Sequence, residues 1–209
     1  MRPIFQLFAL VMILLVPSGA AFAAAPKDSI ESLHAVLLQA MKAGPSATVE
    51  ARYALLKPKL DAIYDFRRMI EVAAGSTWAN TDAATQSKLA DAFARFSVMT
   101  YASRFSSYAG EEFRITGERP GPRDTVLVDT EIDRGANAQL APGENRTVAI
   151  SYVMAKTDDG WRIIDVILDQ SISELALRRS EYSRTLRSGG ADELIEVLNK
   201  KSDELAAAK

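Results

Sequence analysis

A single histidine and no cysteine leave this 209-residue chain with little covalent chemistry to offer. His34 lies beside the apolar stripe of the first helical segment, where a structural or surface role fits better than a general base. Without cysteine there is no disulfide, no thiolate metal site and no thiol to carry a lipid anchor. A Gly-rich phosphate loop, a G-x-S-x-G elbow and His/Cys/carboxylate groups at metal spacing are all missing from the sequence. Asp158 and Asp159 stand side by side, but with Gly160 they make a tight turn rather than an acid–base pair. Asp165 interrupts an otherwise apolar strand; buried, it needs an arginine or backbone amides as partners, and it reads as a satisfied core carboxylate. Asn145-Arg146-Thr147 is a formal glycosylation sequon at the start of a strand, with meaning only in a eukaryotic secretory route.

The elements around these residues are more informative. Thr147 to Ser173 reads as two strands and a turn, the centre of the chain's organisation. Val148, Ile150, Tyr152 and Met154 alternate with smaller or polar residues, the mark of a half-buried strand. Trp161 to Leu168 is apolar on both sides, with Trp161, Ile163 and Ile167 on one and Ile164, Val166 and Leu168 on the other. That predicts a central strand covered on both faces. Thr125 to Arg134 alternates with Val126, Val128, Thr130 and Ile132 inward, and Glu112 to Gly117 makes a shorter strand.

Asp28 to Ala43 is a predicted helix, with Asp28 and Glu31 at capping-box spacing. A second stretch is capped by Ser46, interrupted at Pro58 and closed by Gly75. The longest helix runs from Asp82 to Tyr108, about 40 Å, capped by Thr81. Leu89, Ala92, Phe93, Phe96 and Met99 share one of its faces, and Val98, Tyr101, Phe105 and Tyr108 nearly the opposite one. Such a helix meets two neighbours, as a cavity wall does and as an ordinary buried helix also does. Two more helices close the chain, separated at Gly189-Gly190. The fold class is α+β: a twisted antiparallel sheet of about four strands wrapped by N- and C-terminal helices, as one domain over 24–209.

Residues 1–23 read as a signal peptide. Arg2 is the charged region, Phe5 to Val16 the apolar run and Ala21-Phe22-Ala23 the cleavage site. Of the 25 basic residues, losing Arg2 leaves 24 against 27 acidic ones, a net charge of −3. That balance gives no support for nucleic acid or an anionic membrane as partner. The expectation is an exported, soluble protein with no stable membrane insertion once the leader is gone.

Several segments together resemble one family. Asp65-Phe66-Arg67-Arg68-Met69, Gly75-Ser76-Thr77-Trp78, Phe93-Ala94-Arg95-Phe96 and Tyr101-Ala102-Ser103-Arg104-Phe105 agree with it in order and spacing. So do Ser151-Tyr152-Val153-Met154, Gly160-Trp161-Arg162-Ile163-Ile164-Asp165-Val166 and Arg179-Ser180-Glu181-Tyr182. This succession is similar to the MlaC (toluene-tolerance) family of periplasmic lipid carriers, over essentially the whole mature chain. One departure stands out: Asp169-Gln170-Ser171-Ile172-Ser173 replaces a shorter, glycine-containing turn, and it is similar to the hopanoid-associated branch called HpnM.

The resemblance implies a protein without enzymatic activity, cofactor or metal. It would shuttle phospholipid or hopanoid through the periplasm between a membrane-embedded transporter of ABC or RND type and an outer-membrane complex. An apolar pocket between sheet and helices would hold the lipid, and the composition, 48% hydrophobic, has apolar residues to line it. The candidates are Phe66, Met69, Ile70, Phe93, Phe96, Tyr101, Tyr108, Val128, Ile150, Tyr152, Met154, Ile164 and Val166. Two other functions compete: an enzyme on a cone-shaped, nuclear-transport-factor-like fold, for which Asp165 and Tyr152 are the one available pair, and a ligand-free periplasmic adaptor.

Overall fold

A computed structural model of the chain describes residues 25–136, 138–141 and 143–208. The expected signal peptide lies outside the described residues. Helix α1 (Pro26–Lys42) starts with proline in its first turn, and Asp28 at the third position accepts a hydrogen bond from the Ala25 amide at 2.9 Å. Asp28 thus supplies the returning half of a capping pair rather than the cap itself. Ile30, Leu33, Leu37, Ala40 and Met41 form the buried face. After a short 3-10 turn (Gly44–Ser46), Thr48 caps α2 (Val49–Ile63) by accepting from Ala51 at 3.2 Å.

The expected break at Pro58 does not occur. Proline removes the donor for the carbonyl of Ala54, but both residues are on the exposed side of α2, where solvent serves that oxygen. The chain breaks instead at Tyr64, which is extended (φ −91°, ψ 142°) and pairs with Ile163 of the sheet. The Asp65 amide donates to the Ile163 carbonyl at 2.9 Å, and the Asp65 carboxylate caps α3 (Phe66–Ala74). Gly75, at φ 57° and ψ −127°, ends that helix as expected and leads into the single turn of α4 (Ser76–Ala79). Asp82, one residue beyond the expected cap, accepts from Ala84 and Thr85 at 3.0 Å to start α5 (Ala83–Arg104). The helix stops at Arg104, so it is about 33 Å long rather than about 40 Å. It meets several neighbours, packing on α2, α3 and the C-terminal helix.

The sheet is an antiparallel meander in chain order: β1 (Glu112–Pro120), β2 (Val126–Asp133), β3 (Thr147–Thr157), β4 (Gly160–Leu168) and β5 (Ile172–Ser173). The fifth strand, two residues long, is too short to show any alternation. Asp169 (φ 46°) and Gln170 (φ 59°) make the turn that leads into it, so the glycine-free segment is taken up as a tight left-handed hairpin turn.

The C-terminal helix α6 (Glu174–Ala207) follows at once, capped by Ser173, and is two helices joined at Gly190 (φ 67°, ψ −152°). This region of conformational space is open essentially to glycine alone. A methyl group at Gly190 would meet nothing within 4 Å, so the whole cost of Gly190→Ala is backbone. We expect a loss of about 1–2 kcal/mol in chemical denaturation, with no change in denaturant slope.

One continuous core unites the helices with the inner face of the sheet, including Phe93, Ile70 and Leu60 from helices and Val128, Met154 and Ile163 from strands. The inward residues of β2 and β3 are those expected, paired Val126–Met154, Val128–Tyr152, Thr130–Ile150 and Ile132–Val148. On β4 the faces differ from expectation. Val153 pairs with Asp165 and Met154 with Ile163, which leaves Ile164 as the extra residue of a β-bulge. The bulge inverts the alternation, so Ile163 and Val166 both turn to the core and Ile164 does not accompany them. The apolar character on both sides of this strand comes from that inversion, and β3, not β4, is the middle strand.

Candidate lipid cavity

Between α5, the start of α6 and the inner face of β3 and β4 lies a cavity of about 260 Å³, open to solvent at one end. Its floor is built by the sheet register: Ile150 faces Leu168 and Tyr152 faces Val166 across the β3–β4 pair, so four side chains project together. The last turn of α5 supplies Thr100, Tyr101 and Arg104, with Phe105 just beyond it. Opposite them, Glu174, Leu177, Arg178 and Glu181 project from α6 at i, i+3, i+4 and i+7, one face of a helix.

Aromatic rings run from the cavity wall into the core behind it. The Tyr64 and Tyr101 hydroxyls hydrogen-bond to each other, Tyr64 stacks on Phe66 at 5.1 Å, and Tyr101 stacks on Phe105 at 5.6 Å. Burial pushes the phenols of Tyr64, Tyr101 and Tyr152 well above the ordinary tyrosine range. They remain neutral hydrogen-bonding groups at any physiological pH and are unsuited to act as bases.

The mouth is charged but balanced. Arg178 donates to Glu174 at 3.1 Å and to Glu181 at 3.2 Å, and its guanidinium carbon lies 5.2 Å from the centre of the Phe96 ring. Leu177, 47% exposed, and Ile172, 44% exposed, make an apolar lip nearby. Among the described residues no three His, Cys, Asp or Glu side chains are grouped to hold a metal, and no helix is long and apolar enough to cross a membrane.

Asp165 is tied to structure. Its carboxylate accepts from the Leu175 amide at 3.0 Å, the Val166 amide at 2.8 Å and the Ser173 hydroxyl at 2.7 Å, which pins the start of α6 to β4. Asp165 is half-buried, and two backbone amides and one hydroxyl supply its partners. In the register it shares a face with Val153, while Tyr152 shares the opposite face with Val166. The strand therefore separates Asp165 from Tyr152, the pair the sequence offered an enzyme. Asp165→Ala should cost about 2 kcal/mol of stability and loosen the first turn of α6, seen as faster amide exchange at Leu175 and Ala176.

The whole arrangement corresponds to a known family. A family model described as MlaC protein matches residues 31–200. This chain belongs to the MlaC family. The MlaC fold also recurs in a solved structure, a phospholipid-binding protein from Ralstonia solanacearum in complex with a phospholipid. It aligns with a TM-score of 0.71 at 20% identity, over 88% of this chain and 99% of that one. No curated protein matches the sequence.

Of the residues expected to line a pocket, this MlaC chain brings four to the cavity: Tyr101, Ile150, Tyr152 and Val166. Phe66, Met69, Ile70, Phe93, Val128 and Met154 are packed in the core, where helix and sheet side chains fill the space between the layers. Phe96 is buried against a second groove beside the cavity, and Ile164 is displaced by the β4 bulge. Tyr108 requires correction. With α5 ending at Arg104, helical phase no longer carries it toward Tyr101; it is 44% exposed, and Lys42 sits 5.1 Å over its ring.

The lining residues that apolar periodicity overlooked are mostly polar or amphipathic: Thr100, Arg104, Glu174, Arg178 and Glu181, with Phe105, Leu168 and Leu177. The i, i+4 spacing of Thr100 and Arg104 and the spacing along α6 carried the signal.

Proposed function

We propose that this MlaC-family protein is a periplasmic lipid carrier, exported by the signal peptide at 1–23, that passes a diacyl phospholipid between membrane complexes without altering it. The observation that carries this reading is the cavity itself: apolar strand residues below, aromatic rings behind and amphipathic helices around an open end. The bound phospholipid of the structural relative supports the ligand class. The phenols are held neutral and Asp165 is spent on backbone amides, in keeping with a protein that performs no chemistry.

The cavity of about 260 Å³ is bounded on one side by the first half of α6. In this reading the diacyl lipid enters as the first half of α6 swings away from α5, between the Asp165 clamp at one end and the Gly190 joint at the other. The gain from burying each methylene, about 0.8 kcal/mol, supplies the drive. A pentacyclic hopanoid is rigid and would demand a wider opening; the turn at Asp169 and Gln170, whose sequence resembles the hopanoid-associated branch, is the feature that favours it.

The function is tested by lipid transfer. Donor vesicles carrying a labelled phospholipid and unlabelled acceptor vesicles are mixed with the mature protein, and transfer rate is followed against protein concentration. A rate that rises linearly with protein is expected. A rate equal to spontaneous exchange at every concentration would overturn the proposal.

A further inference from the structure

A second groove, of about 440 Å³, lies between α5 and the distal half of α6 and shares Thr100, Arg104 and Arg178 with the apolar cavity. Its chemistry differs. Three cations, Arg104, Arg178 and Lys201, face it with one carboxylate, Glu204. Two of them converge on one ring: Phe96 has the Arg178 guanidinium at 5.2 Å and the Lys201 ammonium at 5.9 Å from its centre. Arg178 is already satisfied by Glu174 and Glu181 on the cavity side, and Glu204 lies 4.0 Å from Lys200. Among the described residues Arg104 and Lys201 have no carboxylate within ion-pair reach, and the Ser103 hydroxyl makes no hydrogen bond. Arg104 and Lys201 are exposed, and two cations on one groove of a chain whose net charge is −2 make a local positive patch that attracts an anion.

We propose that this groove seats the phosphodiester of a glycerophospholipid whose acyl chain enters the adjoining cavity, with Arg104 and Lys201 as the specificity-determining residues. The proposal rests on the lipid-carrier reading and narrows it. A guanidinium presents paired donors that match the two free oxygens of a phosphodiester, while the ammonium adds a point charge from the opposite helix. The shared wall sets the order of parts: chain against strands β3 and β4, phosphate over Thr100 and Arg104, head-group substituents toward Ser103 and solvent. A lipid without phosphate, whether a diacylglycerol or an uncharged hopanoid, gains nothing from this groove.

The test offers the mature protein equimolar phosphatidylglycerol and the diacylglycerol of the same acyl chains in nonionic detergent, and quantifies bound lipid by extraction and mass spectrometry. The protein should take phosphatidylglycerol over diacylglycerol by about tenfold or more, the worth of one charge-assisted hydrogen bond. In the double variant Arg104→Gln, Lys201→Gln that ratio should fall to within about twofold of unity, with thermal melts verifying the fold. Raising salt to about 0.5 M should lower the ratio in the parent protein and not in the variant. Equal uptake of the two lipids by the parent protein, or a variant that keeps the preference, overturns the proposal. Displacement of phosphatidylglycerol by millimolar inorganic phosphate or glycerol phosphate also overturns it, since the groove would then hold a free anion rather than a tethered one. Uptake of neither lipid sinks the carrier function itself, an outcome distinct from the others.

Discussion

Ile150→Trp should give a folded protein that purifies without lipid. Ile150 is half-buried, lines the cavity and faces Leu168 across the β3–β4 pair, so an indole there projects into open space rather than into packed core. Tryptophan is a good strand residue, and its ring would lie among Tyr101, Phe105 and Tyr152. An indole on the floor of a cavity of about 260 Å³ stands across the path an acyl chain would take. Lipid recovered per protein by extraction should drop at least about tenfold, equivalent to losing roughly two buried methylenes or more. Unfolding by denaturant should shift by less than about 1.5 kcal/mol. An equivalent substitution at Met154, fully buried in the core, should instead unfold the protein, and this contrast separates a cavity from a core.

The second large effect is on acid stability. His34 is 6% exposed, its Nε2 has no hydrogen-bond partner, and its ring packs 4.9 Å from Phe113 and 6.1 Å from Tyr152. Burial lowers its pKa to about 4, against 6.5 for an ordinary histidine. At pH 7 the ring is neutral in both folded and unfolded chains, so no difference in bound protons separates them. As pH falls below about 6.5 the unfolded chain takes up a proton that the folded chain refuses, so stability is lost down to about pH 4 and levels off below it. At 1.36 kcal/mol per pH unit the loss approaches about 3 kcal/mol. His34→Leu removes this dependence. Parallel denaturation curves from pH 7 to pH 4 should show the difference between parent and variant growing by that amount, while the carboxylates common to both cancel. A constant difference across the range would mean that His34 is protonated in the folded state.

Much of the fold is written in the sequence because burial has a period. The alternation of Val126, Val128, Thr130 and Ile132 and of Ile150, Tyr152 and Met154 translates directly into the inward face of β2 and β3. Glycines at 75 and 190 mark helix boundaries because each adopts a backbone conformation other residues resist. What periodicity missed is non-local. The extended Tyr64 interrupts two helices for the sake of a hydrogen bond with β4, nearly a hundred residues away, and no local pattern announces it. The bulge at Ile164 depends on how β3 and β4 pair, and it alone reverses which side of the strand is core. The site was harder still. Apolar spacing reports that Phe93 and Ile150 are both inside, but not that one is packed on all sides and the other faces a hollow. The charged residues that frame the opening, Arg104, Glu174, Arg178 and Glu181, look on paper like an ordinary solvated helix face.

Native mass spectrometry of the mature protein, purified without detergent from the compartment in which it accumulates, tests the central claim most directly. One diacyl lipid per chain is predicted, released as intact phospholipid on collisional activation and missing from Ile150→Trp. A spectrum with the mass of the polypeptide alone, unchanged after incubation with phospholipid vesicles, would contradict the account.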